Sequence, residues 1–571
     1  MKNAFWKYAF RLAVVALPTL TQADGFPRKS IRACGWDIAH ATVEEIHHNR
    51  AKFSGIGIDG IHFVPLGIWP DGRPMRESET TFSMRRFRSA DFSKQIPLIR
   101  EITATDGLKD SMFRVGWCMR KRLDWRDDEA WATVADNMAF LAELAMATGV
   151  KGFAIDEEDY YDARQFVRLE GEAPFCELAE LARRRGREVF EAAFRAHPTL
   201  EISSSWGFST ILKWAVYLTP SAGDDQMAVM EAFGELWPCF LNGVIEVMPS
   251  TARFHEGNEA KGYHGVAVRR DFEVGAWETS RGVLPQLAPR LRGKYLQQLA
   301  VSFGQYIDMY INPAPPKGNA FYYFGPKYGS RLKAFDENLT AAIAAADRMI
   351  WVYGEKGTWI DWDFKGKKKT DRSYRYPTWE RQLPGFSRML RIAKGDYGPL
   401  EDDIACGRAK NLIGNSGCES KDGNIPAPYR TYVDSRHKSE ISPFAWDAKE
   451  GARAPGCLRL HGRGCYTWMT GELLPGDEIY VKLRLKGCNP RVGVNWRTGE
   501  TNRWDMVHSV LARPFGSDHA RWLEVRKRLF VPEGVDGMMV TLGGKTEHEA
   551  ANYFDDVEVY LIPRNAQGDK R

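Results

Sequence analysis

The sequence predicts an α/β fold, a (β/α)8 TIM barrel, followed by an all-β jelly-roll sandwich. Between residues 31 and 360, short apolar runs alternate with helical patterns, which is typical of parallel strands joined by crossover helices. From residue 411 onward the predicted strands are short, alternate apolar with polar residues and are separated by Gly, Pro and Asn turns. A chain of 571 residues is long enough to hold both parts.

These patterns divide the chain into four segments. Residues 1–23 have the pattern of a signal peptide, with a basic start, the short apolar run Leu12 to Leu20 and small residues after it. We expect a barrel over residues 24–360, a linker or extension over 361–405 and a β-sandwich over 406–571. The apolar run is too short to cross a bilayer, so we expect a secreted or periplasmic protein without a stable membrane span.

Eight runs carry the strand pattern of the barrel. Between the third and fourth runs, apolar residues recur at spacings of three and four and predict one buried helix face, formed by Trp131, Val134, Met138, Leu141 and Ala145. An open, doubly wound sheet would give a similar alternation and is the alternative. The predicted strands are Ile31 to His40, Ile58 to Gly67, Phe113 to Met119, Gly152 to Asp159, Glu201 to Phe208, Gly243 to Ser250, Tyr306 to Pro313 and Met349 to Trp359.

Composition narrows the classes of partner. The formal net charge is +5, and removal of residues 1–23, with three basic and no acidic residues, lowers it to +2. This balance predicts no nucleic-acid partner. Aromatic residues make up 12% of the chain and include 19 Trp, whose ring faces pack well against the C–H faces of sugars. The chain has no P-loop, no G-x-S-x-G and no H-E-x-x-H motif, and we expect no cofactor for catalysis.

The strongest candidate for chemistry is the predicted fourth strand, whose apolar start leads into four consecutive acids, Asp156 to Asp159. In a barrel the active site lies at the carboxyl ends of the strands. Side chains alternate along a strand, so Asp156 and Glu158 share one face. Two carboxylates that converge on one site repel each other, which raises a pKa as a general acid requires. A solvated acidic loop or a metal site is the alternative interpretation.

These residues resemble known carbohydrate-active families. The end of the run, Asp156-x-Glu158, is similar to the D-x-E end of the catalytic strand in chitinase-type glycoside hydrolases of family eighteen, although Lys151 and Ala154 replace the earlier aspartates of that motif. A broader similarity to poorly characterised bacterial barrel proteins of the glycoside hydrolase type rests on Gly35-Trp-Asp37, Asp156-x-Glu158-x-Tyr160 and Trp351-Val-Tyr-Gly-Glu355-Lys356. The resemblance implies that Glu158 is the general acid and that Asp156 orients it or stabilises developing positive charge.

Glycoside hydrolysis also needs a second carboxylate, unless the substrate supplies its own nucleophile. Glu355 at the end of the predicted eighth strand and Glu246 within the predicted sixth strand compete for this role, with Asp308 behind them. We expect further substrate contacts from residues at strand ends, for which core packing is the alternative. These residues are Asp37, His40, Asp308 and the aromatic residues Trp117, Trp206, Tyr310, Trp351 and Trp359.

The sandwich carries a second resemblance. Asn411 to Glu419 is similar to the opening strand of carbohydrate-binding modules of the family four and nine type, and Tyr553 to Tyr560 is similar to their last strand. The resemblance implies a structural calcium ion held by Glu419 and Asp556, whose hard carboxylate oxygens suit calcium. It also implies a sugar platform, for which the candidates are Trp468, Trp496 and Trp504.

Taken together, these patterns predict a secreted glycoside hydrolase that cleaves a polysaccharide or oligosaccharide by carboxylate acid/base catalysis. The alternative is a noncatalytic glycan-binding barrel protein. Both hypotheses make a carbohydrate the partner.

Overall fold

The computed structural model describes residues 29–68, 70–72, 75, 85–116, 121–158, 163–212, 225–259, 269–365, 372–433, 443–498, 503–512, 519–546 and 550–563. The predicted signal peptide lies outside these residues. Two compact units are present, one formed by residues up to Arg408 and one by Ala409–Ile562. Across the described ranges, none of the helices has the length and apolar character needed to cross a bilayer.

The first unit is built on a parallel sheet in the strand order β7-β6-β5-β4-β3-β2-β1-β9-β8. The strands at the two ends of this order, β7 and β8, are consecutive in the chain and are separated only by Ser302 and Phe303. The strands are β1 (Ser30–Gly35), β2 (Gly60–Phe63), β3 (Met112–Gly116), β4 (Gly152–Asp156), β5 (Glu201–Ser204), β6 (Arg253–Glu256), β7 (Leu299–Val301), β8 (Gly304–Tyr306) and β9 (Met349–Gly354).

The register of these strands brings their carboxyl ends to one edge. Gly116 pairs with Asp156 between β3 and β4, and Ser204 pairs with Glu256 between β5 and β6. Both faces of β4 are buried up to Ile155, which explains its unbroken apolar run. Polar residues that follow these strands therefore meet at the same edge of the sheet.

Helices connect the strands, and local signals set their ends. The helix α4 begins where the Asp127 side chain accepts a hydrogen bond from the backbone N–H of Ala130, and it ends before Gly149, which has a left-handed conformation. Its predicted apolar face is confirmed, because all five of its residues are buried. The helices are α1 (Trp36–Ala39), α2 (Val43–Asn49), α3 (Gln95–Ala104), α4 (Asp128–Thr148), α5 (Phe175–Ala196), α6 (Gln226–Phe233), α7 (Trp237–Val247), α8 (Arg269–Trp277), α9 (Arg292–Gln298), α10 (Arg331–Ala345), α11 (Trp379–Gln382), α12 (Phe386–Ala393) and α13 (Gly398–Ala405).

Six of the eight predicted runs share at least four residues with an observed strand, and two predictions are wrong. The run Gly243 to Ser250 belongs to α7, which is buried on nearly all sides, so its apolar sequence lacks the one-sided period of a surface helix. The run Tyr306 to Pro313 holds only the last residue of β8, and Ile307–Tyr310 form a 3-10 helix. The strands themselves lie just after the first run and just before the second.

Residues 361–408 belong to the first unit. Trp379, Phe386 and Leu390 from α11 and α12 are buried in the same hydrophobic core as the strands. The predicted linker or extension therefore continues the packing of this unit.

The second unit contains two antiparallel sheets. One has the order β12-β13-β20-β15-β18, with β10 paired to β20, and the other has the order β11-β14-β19-β16-β17. Alternate residues of β15, such as Ile479 and Val481, are buried in the core of this unit. The strands are β10 (Lys410–Asn411), β11 (Arg430–Tyr432), β12 (Phe444–Asp447), β13 (Cys457–Leu460), β14 (Arg463–Gly471), β15 (Glu478–Gly487), β16 (Pro490–Thr498), β17 (Arg503–Ala512), β18 (Leu523–Phe530), β19 (Val535–Lys545) and β20 (Asn552–Ile562).

Candidate active site

A cavity of about 660 Å³ opens at the carboxyl ends of the parallel strands of the first unit. Its size is in the range of sites for small organic ligands. Strands β1, β2, β3, β4, β5, β8 and β9 each contribute at least one lining residue, and the segment after β8 forms another part of the wall. The acidic and basic lining residues are Arg114, Asp156, Glu158, Glu259, Lys317, Glu355 and Lys356.

The acid pair predicted on β4 lies in this cavity, and both Asp156 and Glu158 line it. The Arg114 guanidinium donates a hydrogen bond of 2.9 Å to Asp156 Oδ2, and the other oxygen of this carboxylate accepts the backbone N–H of Glu158 at 3.2 Å. Arg114 also lies over the ring of Trp36, 5.2 Å from its centroid. Asp156 is therefore an oriented, ion-paired carboxylate, and Glu158 is exposed to the cavity.

A further acid, Glu157, directly follows β4 and is not among the lining residues of the cavity. The Ser204 hydroxyl lies 3.4 Å from Glu157 Oε2, and Oε1 is buried without a hydrogen-bond partner among the described residues. Burial, and then the charge of Asp156, raise the pKa of Glu157 well above its usual range. The Glu157 carboxyl group therefore favours the protonated state.

Glu355 directly follows β9, and the strands β3, β2 and β1 lie between β4 and β9 in the sheet. The Tyr353 hydroxyl donates a hydrogen bond of 3.0 Å to Glu355 Oε1. The buried carboxylate of Asp308 accepts the backbone N–H groups of Glu355 and Lys356 at 2.7 and 2.9 Å, so it fixes the turn that carries Glu355. Burial raises the pKa of Asp308 to about 6, against these two hydrogen bonds.

Aromatic rings form much of the remaining wall. Trp351 lies between Gly257 and Gly304, where a β-carbon on Gly304 would come within 2.5 Å of the indole ring. Its indole N–H points to the Gly257 carbonyl at 3.3 Å. Tyr306 stacks on Tyr353 with ring centroids 5.6 Å apart. The lack of a side chain at Gly257 and Gly304 therefore leaves room for the Trp351 ring.

His62 on β2 adds a neutral imidazole to the cavity. It is 6% exposed, and its Nε2 has no hydrogen-bond partner among the described residues. Burial and the nearby charges of Arg32 and Arg114 lower the pKa of His62 well below its usual range. At neutral pH the His62 imidazole is therefore uncharged.

Other predicted site residues lie outside the cavity lining. Asp37 is fully buried and accepts hydrogen bonds from the backbone N–H of Trp359 and the indole N–H of Trp362. His40 stacks on Trp36, with ring centroids 5.3 Å apart. The prediction that these two residues contact substrate receives no support from their position.

Three of the predicted aromatic residues are not among the lining residues of the cavity, and a fourth is outside the described residues. The Trp206 carbonyl accepts hydrogen bonds from neighbouring side chains, and its ring is half-buried. Tyr310 is buried in the core, where its hydroxyl accepts a hydrogen bond from Asn338. Trp359 is buried and donates its indole N–H to the Cys34 carbonyl. Trp117 lies outside the described residues.

Glu246 is not brought to the cavity. It lies near the end of α7, where its carboxylate pairs with Arg183 and Arg290 at 2.9 and 2.8 Å. The prediction placed it inside a barrel strand because the apolar residues around it fit a strand as well as a buried helix. Its charge is compensated at the surface of the helix and does not face the other carboxylates.

Sequence reasoning missed Glu259 and Arg114. Glu259 is 8% exposed and lines the cavity three residues after β6, a strand that the sequence did not predict. The polar residues that follow Phe254 are typical of a strand end and could have indicated Glu259 as a site residue. Arg114 is a single basic residue within a short strand, and only the pairing of β3 with β4 places it beside Asp156.

One of the two predicted calcium ligands of the second unit, Asp556, lies next to basic side chains. Asp556 is 3.1 Å from Arg453 and 3.5 Å from Arg484. Two guanidinium groups supply the positive charge that a calcium ion would supply, so Asp556 does not fit a calcium site well. Within the described ranges, no group of three or more His, Cys, Asp or Glu side chains is placed to hold a metal ion, and Glu419 with Asp556 stays a prediction.

The predicted sugar platform of the second unit is only partly described. Trp468 and Trp496 are 6% and 1% exposed and pack in the core, so neither offers a ring face to a ligand. The side chain of Trp504 lies outside the described part of the structure. The two buried tryptophans therefore stabilise the fold of this unit.

Comparisons with known proteins give weak structural similarity. No protein-family model matches the chain, and no curated protein matches it. Similar solved structures include a cyclase from Fischerella sp. TAU, 11% identical, which covers 27% of this chain and 98% of its own at a TM-score of 0.22. A xylan-binding domain from Paenibacillus barcinonensis is 13% identical and covers 27% of this chain and 96% of its own at a TM-score of 0.20.

A third similar structure is the enzymatically active domain of a tailspike protein of bacteriophage CBA120. It is 9% identical, and the match covers 38% of this chain and 25% of the tailspike chain at a TM-score of 0.22. One of these three structures is a xylan-binding domain, but similarity at this level does not support a statement about activity. The function is therefore inferred from the residues of the site.

Proposed function

We propose that the first unit is a glycoside hydrolase that cleaves a polysaccharide or oligosaccharide by carboxylate acid/base catalysis in the cavity. One observation carries this proposal: Asp156, Glu158, Glu259 and Glu355 come from distant parts of the chain and line a single cavity with aromatic walls. Glycosidic bond cleavage needs two carboxyl groups, one on each side of the bond. One donates a proton, and the other acts as base or nucleophile. Aromatic faces beside such groups suit the apolar faces of a sugar ring.

Each carboxylate has surroundings that favour one role. Glu158 is the proton donor to the leaving oxygen, because it reaches into the cavity and Asp156 holds its backbone N–H. Asp156 is held by its ion pair with Arg114 and stabilises the positive charge that develops at the anomeric carbon. Glu355 accepts a hydrogen bond from the Tyr353 hydroxyl, which orients it for the role of base or nucleophile. Glu259 is the alternative for this second role.

The test is hydrolysis of a glycan panel by the wild type and by two variants, Glu158→Gln and Glu355→Gln. We expect each variant to lose at least about 100-fold in kcat, as is typical when a proton-transfer group is removed. Glu246→Gln is the matched control, because it makes the same change outside the cavity. Undiminished cleavage by Glu158→Gln would refute the assignment, and glycan binding without cleavage by the wild type would favour a noncatalytic binding protein.

We further propose that the parallel sheet closes into an eight-stranded (β/α)8 barrel. The support is that β7 and β8 form one interrupted strand that meets both neighbours. The Gly304 N–H donates to the Gly257 carbonyl at 2.9 Å beyond β6, and the Trp351 N–H donates to the Phe303 carbonyl at 3.2 Å from β9. Counted as one strand, β7 and β8 reduce the nine strands to eight.

For the second unit we propose a jelly-roll module of the carbohydrate-binding type. In support, the two segments that carry the resemblance contain β10 and β20, which pair with each other through Asn411 and Tyr560. Export through residues 1–23 remains part of the proposal. Detection of a mature chain that begins near residue 24 outside the cytoplasm, by N-terminal sequencing, tests it.

A further inference from the structure

A series of aromatic rings leads out of the cavity toward solvent. Tyr306 stacks on Tyr353, the edge of Tyr322 meets Tyr306 with centroids 6.1 Å apart, and Phe321 lies at 84° to Tyr322 with centroids 4.7 Å apart. Exposure rises along the series, from 7% at Tyr306 to 39% at Tyr322 and 45% at Phe321. Two adjacent, largely exposed aromatic side chains therefore continue the wall of the cavity past its mouth.

The segment that carries these two rings is fixed to the site by hydrogen bonds. Asn312 donates its side-chain N–H to the Tyr322 carbonyl at 2.8 Å, and its oxygen accepts the ammonium group of Lys356, the residue after Glu355. The Asn319 side chain accepts the backbone N–H of Phe321 at 2.9 Å. The backbone that carries the two rings is thus held in place before a ligand arrives, which lowers the entropic cost of binding.

We propose that Tyr322 and Phe321 form a sugar-stacking subsite at the rim, so that the substrate is a chain of pyranose units that extends out of the cavity. The proposal rests on the glycan-active function proposed above and names its substrate class. Flat stacking requires sugar rings whose substituents are mostly equatorial, because axial groups would hold the ring away from the aromatic face. The expected ligands are therefore β-1,4-linked chains of gluco- or xylo-configured sugars, with the reacting unit in the cavity.

The experiment measures binding in the inactive Glu158→Gln background, so that no ligand is consumed. Isothermal titration uses cello-, xylo- and chito-oligosaccharides of one to six units. In at least one series we expect affinity to rise with chain length. Tyr322→Ala and Phe321→Ala are each expected to weaken binding of the longest chain by about 2- to 12-fold, the range of one aromatic contact, and to change binding of the single sugar by less than 2-fold.

Two further variants separate stacking from damage to the fold. Tyr322→Phe keeps the ring and is expected to bind within about 2-fold of its parent. Trp277→Ala removes an aromatic side chain that is 62% exposed and is not among the lining residues of the described chain, so it is expected to leave the affinity unchanged. A thermal melt of each variant checks that it is folded.

Chain-length-independent binding, an equal loss in Trp277→Ala or no binding in any of the three series would overturn the subsite. Hydrolysis of a different glycan by the wild type in that case would leave the proposed function standing. Conversely, length-dependent binding that Tyr322→Ala weakens, without hydrolysis by the wild type, would support the subsite and refute the catalytic assignment.

Discussion

The ion pair between Arg114 and Asp156 gives a prediction whose size follows from the structure. Arg114→Met removes the guanidinium but keeps most of the side-chain volume, so it leaves Asp156 without its cationic partner. The two side chains are only 12% and 19% exposed, and 2.9 Å separates their charged atoms. We therefore expect a loss of stability larger than that of an ordinary surface pair.

The magnitude is set by two opposing effects. At 2.9 Å and an effective dielectric constant of about 20, the attraction between the two charges is about 6 kcal/mol. Partial removal of both groups from water offsets much of this attraction. We expect a net coupling of about 1–3 kcal/mol between Arg114 and Asp156, and a total loss of about 2–3 kcal/mol in Arg114→Met, which also loses its contact with Trp36.

A double-mutant cycle with Arg114→Met and Asp156→Asn, measured by urea unfolding of the full chain, isolates this coupling. The matched control is the same cycle on Arg126 and Glu177, an ion pair whose side chains are 53% and 50% exposed. There we expect less than about 1 kcal/mol. A coupling below about 0.5 kcal/mol for Arg114 and Asp156, or equal values for the two pairs, would refute the view that Arg114 holds Asp156 in place.

Three further predictions concern buried or ion-paired acids. Burial raises the pKa of Asp37 to about 6, so its ionisation destabilises the folded state as the pH rises from about 4 to about 6. In Asp37→Asn one oxygen can still accept the backbone N–H of Trp359 and the indole N–H of Trp362. Measured by urea unfolding, the free energy of unfolding of this variant relative to the wild type should rise by about 3 kcal/mol between pH 4 and pH 7.5. A difference that does not change with pH would contradict this. Asp308 uses both oxygens, so Asp308→Asn leaves one backbone N–H unpaired and should cost about 1–3 kcal/mol in unfolding and lower kcat; unchanged values would contradict this. Because Asp556 is ion-paired, calcium added after chelation should shift the melting temperature by less than about 1 °C, and a rise of several degrees would favour the calcium site.

Much of the fold is readable from local patterns. The helix α4 follows from an apolar spacing of three and four and from the Gly149 that ends it, because these signals act within one element. The prediction that Asp156 and Glu158 face the same site came from the two-residue period of a strand, and both residues line the cavity although β4 ends at Asp156. These features need no knowledge of which strands are neighbours.

The failures have the opposite cause. A fully buried helix and a buried strand share the same uniform apolar composition, so the sequence around Glu246 did not distinguish them, and the shift of β6 concealed Glu259. The predicted stacking residues Tyr310 and Trp359 are core residues. The residue type alone does not tell whether an aromatic side chain packs in a core or lines a site.

Local patterns in the sequence establish the alternation of elements, the change to antiparallel strands after residue 411 and the acidic end of β4. The side chains that surround this acidic end are known only from the three-dimensional arrangement of the strands. Arg114, Glu355 and Tyr322 are far apart in the chain, and they line one cavity because strand pairing brings carboxyl ends to a common edge. A contact between distant residues depends on register and packing, and neither property is contained in the local period of a segment.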